Sequence, residues 1–132
     1  MPVNFLPQYE ILLRKAASDL AAASHLLNIE DAELDMEVVF FHLQQSAEKN
    51  LKALLAFHGI HFEKVHDLER LLDICTEHGI HLPEYASELV ELNPYAVEGR
   101  YGLVADDMHD ADRFCSILKE FKGFCLLSVQ KK

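Results

Sequence analysis

From Phe40 to Phe57 the chain runs without a glycine or proline and repeats an apolar residue at helical spacing: Phe40, Leu43, Ala47, Leu51 and Leu54. Steps of three and four place these side chains on one stripe of an α-helix. A segment of this length and polarity needs further helices to cover it. The sequence supplies them. Tyr9, Leu13, Ala16, Leu20, Ala23 and Leu27 form an equivalent stripe between Pro7 and Asn28, and Ala111, Phe114, Leu118, Phe121 and Cys125 form another near the end. Two shorter patterns lie between them. One begins at Asp67, with Leu68, Leu71, Leu72 and Cys75 inward. The other begins at Pro83, with Tyr85, Leu89 and Leu92, and is expected to break at Asn93-Pro94. Short connections between amphipathic helices imply antiparallel neighbours. The expected fold is therefore all-α, an antiparallel up-and-down four-helix bundle with one or two short additional helices. No linker or low-complexity tract divides the chain, so residues 1–132 are expected to form one domain.

Several function classes recede on composition. The net charge of −10 leaves no general coat of cations for duplex DNA. No apolar run reaches membrane-spanning length, and the N-terminal Met1-Pro2-Val3-Asn4-Phe5 does not read as a signal peptide. Cys75, Cys115 and Cys125 make an odd count without a Cys-x-x-Cys pair, so they read as small core residues in a reducing cytoplasm. The acidic run from Glu30 to Glu37 suits the positive start of a helix dipole.

Two copies of His-Gly-Ile-His, at 58–61 and 78–81, suggest a metal motif at first sight. Helix capping explains more of each copy: glycine takes a left-handed conformation, and isoleucine packs back on the last turn. Asp106, Asp107, His109 and Asp110 also cluster, but capping and dipole complementarity account for the carboxylates. No metal and no cofactor is expected.

Beside the core stripe of the second helix, His42, Gln45, Lys49 and Lys52 step by three, four and three. Spacing alone reads this as a solvated face, with Glu48 and Lys52 paired one turn apart. Outside that helix, His66 precedes the capping residue Asp67, and Arg100-Tyr101 sits in an irregular stretch between glycines. Arg100 has no helical partner at fixed spacing, and a guanidinium there can clamp phosphate or carboxylate bidentately.

Read as a string, Phe41-His42-Leu43-Gln44-Gln45-Ser46-Ala47-Glu48-Lys49-Asn50-Leu51-Lys52-Ala53-Leu54-Leu55, followed by His66-Asp67-Leu68 and Arg100-Tyr101, resembles the HEPN domain family. The resemblance spans about Tyr9 to Leu127. It implies a helical bundle, usually a homodimer, associated with nucleotide binding. It also implies a partner: many such domains are encoded beside a minimal nucleotidyltransferase, in pairs that behave as toxin–antitoxin systems. The ligand-binding residues it points to here are Gln45, Lys49, Lys52, His66, Arg100 and Tyr101. Some HEPN domains are metal-independent ribonucleases, marked by an Arg followed after four to six residues by a His. This chain departs from that signature, because eight residues separate Arg100 from His109. A ribonuclease using Arg100 and His109 is thus the alternative to a non-catalytic binding module. An acidic bundle that neutralises a partner protein is a third reading.

Overall fold

The computed structural model describes residues 6–29, 33–62, 64–96 and 108–130, with Met108 and His109 described by backbone alone. Four α-helices and one 3-10 helix make up the described chain: α1 (Gln8–Leu27), α2 (Met36–Phe57), α3 (Leu68–Glu77), the 3-10 helix (Glu84–Tyr95) and α4 (Met108–Ser128). The expected all-α bundle is what the chain forms. Its three long helices, α1, α2 and α4, all touch one another, while α3 and the 3-10 helix together cover the remaining side of α2.

α2 packs against every other element, and its composition explains this. Val39, Phe40, Leu43, Ala47, Leu51, Ala53, Leu54 and Leu55 are all buried. That arc is wider than one seam, so a single partner helix cannot cover it. The predicted stripe of α4 is buried throughout. On α1, Leu13, Ala16, Leu20 and Ala23 are buried, with Tyr9 and Leu27 packed partly against the core. All three cysteines are buried and free.

The ends of the helices follow their local chemistry. Asp35 caps α2 by accepting from the Glu37 amide at 2.9 Å, and Asp67 caps α3 by accepting from the Glu69 amide at 2.9 Å. Each His-Gly-Ile-His is a C-terminal cap. Gly59 and Gly79 have φ of 69° and 78°. Ile60 N–H reaches Leu55 O at 2.8 Å, and Ile80 N–H reaches Cys75 O at 2.9 Å. These are the reverse-turn bonds that satisfy the last free carbonyls of a helix.

The segment after Pro83 differs from expectation. It winds as a 3-10 helix and carries Pro94 inside it, ending at Tyr95 rather than breaking at Asn93-Pro94. A proline so close to a helix end forfeits one amide and little else. The turn is also held from outside. Asn93 donates to Asp67 Oδ1 at 2.9 Å and accepts from the Leu68 amide at 2.8 Å, and Tyr95 stacks on Phe40 with ring centroids 4.8 Å apart. Arg113 ties the same element to α4 through Glu88 and Glu91, at 2.6 and 3.3 Å.

Candidate functional site

Four polar residues of α2 are buried: Gln44, Ser46, Glu48 and Asn50. Buried polar groups cost free energy unless they find partners. Glu48 finds the most. Gln44 donates to its Oε1 at 3.0 Å. Lys52 and His66 both meet its Oε2, at 2.9 and 3.1 Å. Gln45 extends the chain of bonds by donating to Gln44 Oε1 at 2.7 Å. Ser46 Oγ and both amide atoms of Asn50 make no hydrogen bond among the described residues.

The Glu48 carboxylate is thus an organising centre. Burial alone would push its pKa up. The hydrogen bonds from Gln44, Lys52 and His66, with the charge of Lys52, more than offset that and hold it below its ordinary value. An ionised Glu48 only accepts, so the facing Nδ1 of His66 carries the proton. Its Nε2 is then left to face outward on a side chain 67% exposed. Lys52 Nζ and His66 Nδ1 lie 3.5 Å apart, two donors gathered on one acceptor. The Lys52 ammonium also sits 5.9 Å above the ring of Phe62.

A second network occupies the α1 side of α2. Asp19 accepts from Lys49 Nζ on Oδ2 at 2.6 Å and from His42 Nδ1 on Oδ1 at 3.0 Å. The continuous stripe read along the sequence therefore divides. Gln45, Lys52 and His66 join the Glu48 network, whereas His42 and Lys49 are drawn to α1. Asp19 was missed by sequence reasoning. Its signal was a carboxylate lodged between Ala16 and Leu20, beside a core stripe. Gln44 was seen only as part of the string, and Glu48 as part of it and as the partner of Lys52.

Arg100, Tyr101 and Asp106, the expected cap, lie outside the described residues, and His109 is described only as backbone in the first turn of α4. The Arg100–His109 pair of the alternative ribonuclease reading therefore also falls outside them.

The family model for the HEPN domain matches residues 9–129. The chain belongs to the HEPN domain family. No curated protein and no solved structure matches it. Within this HEPN domain the Gln-Gln-x-x-Glu-Lys-x-x-Lys string has a physical reason for its spacing. Gln44, Glu48 and Lys52 lie one helical turn apart in succession, so each side chain reaches the next. Gln45 and Lys49, one position further round the helix, fall nearer its rim. Among the described residues no helix is long and apolar enough to cross a membrane.

Proposed function

We propose that this HEPN domain is a non-catalytic binding module for a nucleotide, free or presented by a minimal nucleotidyltransferase partner in a toxin–antitoxin-like pair in the cytoplasm. The observation that carries the proposal is the Glu48 junction. One buried carboxylate holds a largely buried Lys52 beside a surface-exposed His66. With Nδ1–H directed at Glu48, His66 meets a phosphate oxygen through Nε2–H in its imidazolium form, and Lys52 supplies charge behind it. Arg100 adds a guanidinium from the connection that precedes α4, and Gln45 and Tyr101 are assigned to sugar or base. Lys49, engaged by Asp19, belongs to the framework of the site. Phe41, partly exposed on α2 one turn before Gln45, supports a homodimer formed beside this network.

Isothermal titration of the protein with ATP, GTP and their diphosphates tests the proposal. Binding at or below millimolar concentration is expected, weakened tenfold or more in His66→Asn and in Arg100→Ala, with thermal melts showing that both variants fold. Absence of binding at millimolar ligand, or binding indifferent to both substitutions, excludes this site. RNA cleavage in EDTA that is lost in His109→Ala replaces the binding module with the ribonuclease reading.

A further inference from the structure

α1 and α4 leave a groove of about 410 Å³ between them, lined by none of the residues of the Glu48 network. Ala17, Leu20, Ala21 and Ser24 line it from α1, and Gly123 and Leu126 from α4. The small side chains let another backbone approach closely, as tightly packed helices do at roughly 8–10 Å between axes. Gly123 is informative on its own. A glycine inside a helix is less favourable than an alanine. No described residue calls for it, because a Cβ built there meets nothing within 4 Å.

Charge indicates what the groove takes. Lys119 and Lys122 stand on its α4 edge, exposed, and form no ion pair among the described residues. In a chain of net charge −10 they are the only charged side chains among the described residues that line the groove, and Leu126 beside them is 41% exposed.

We infer that the α1–α4 groove docks an acidic amphipathic helix of a partner protein. The partner's small apolar stripe lies against Ala17, Ala21 and Gly123, and its carboxylates at helical spacing meet Lys119 and Lys122, which are themselves three residues apart. A second copy of the same face would bring cations against cations. A flat anionic membrane would meet the lysines and the projecting Leu126 but not the recessed floor.

Fluorescence anisotropy with synthetic peptides tests this on the full chain. The probes are an amphipathic helix with an Ala/Leu stripe flanked by glutamates, the same peptide with lysines in their place, and vesicles of phosphatidylglycerol as competitor. The acidic peptide is expected to bind. Its affinity should fall tenfold or more in Lys119→Glu/Lys122→Glu, whose side chains are exposed and leave the fold intact, and again in Gly123→Leu, which fills the groove. Circular dichroism establishes the fold of both. The basic peptide is expected not to bind. The inference is overturned if the acidic peptide fails to bind, if both peptides bind alike, or if neither substitution weakens binding. It is equally overturned if only vesicles bind, or if Gly123→Leu abolishes a dimer seen by sedimentation velocity.

Discussion

The ammonium of Lys49 on α2 meets the carboxylate of Asp19 on α1 at 2.6 Å, with the two side chains 25% and 13% exposed. Asp19 uses its other oxygen for His42 at 3.0 Å. One carboxylate therefore clamps two positions of α2, seven residues apart, to the neighbouring helix. A charge-assisted hydrogen bond in a partly dry setting contributes more than an exposed pair. Asp19→Ala strands two donors and should cost roughly 1–2 kcal/mol. A double-mutant cycle on Asp19 and Lys49, followed by urea denaturation, measures the coupling. Lys49→Met should lower the melting temperature while leaving nucleotide affinity unchanged. A loss of affinity without a loss of stability would move Lys49 into the binding site.

Acid should loosen the Glu48 junction. Its folded pKa is depressed below the reference value of 4.5. Stability from a depressed carboxylate is fully present above the unfolded pKa and is lost as pH falls through the folded one. Urea midpoints should therefore hold steady down to about that reference value and drop below it. Glu48→Gln should flatten part of that drop and lower stability at neutral pH, because Lys52 loses its charged partner. Identical pH slopes in both proteins would show that Glu48 is not linked to folding.

The glycines divide into two kinds, and alanine separates them. Gly59→Ala and Gly79→Ala force a side chain into the left-handed region at φ of 69° and 78°. Each should cost roughly 1–2 kcal/mol. Gly123→Ala should do the opposite and stabilise by roughly 0.5–1 kcal/mol, since its Cβ meets open space inside a helix. Thermal melts of the three variants decide the matter, and a shift of the same sign in all three would contradict the assignment.

The thiols should be silent in the native protein. Burial pushes Cys75 up to about 12 and raises Cys125 further still, with Cys75 adding to the effect. Cys115 is also raised, chiefly by burial. Thiolate is the reactive form, so a disulfide reagent at mildly alkaline pH should modify all three only as fast as the bundle opens. Rapid labelling of any one in the folded protein would reveal an exposure that the packing does not provide.

Much of the fold could be read along the chain because its causes are local. The stripes through Leu13, Leu43 and Leu118 repeat at the helical period, and that period alone selects the buried face. The caps at Asp35, Asp67, Gly59 and Gly79 answer backbone groups only a few residues away. Pro94 was misread because the bonds that hold its turn come from Asp67, Leu68 and Phe40, all more than twenty residues distant in sequence. The candidate site was half legible. The string from Gln44 to Lys52 marked the right helix, and one-turn spacing already allowed Glu48 to pair with Lys52.

By itself, the sequence determined which segments are helical, where α2 and α3 are capped and which stripe each long helix turns inward. Only the tertiary structure decided what the polar stripe of α2 does. Periodicity fixes a side chain's angle about its own helix but not what stands opposite. Across from Lys49 the fold places Asp19, and across from Glu48 it places His66. Those two encounters turn one continuous polar face into a clamp and a candidate binding site.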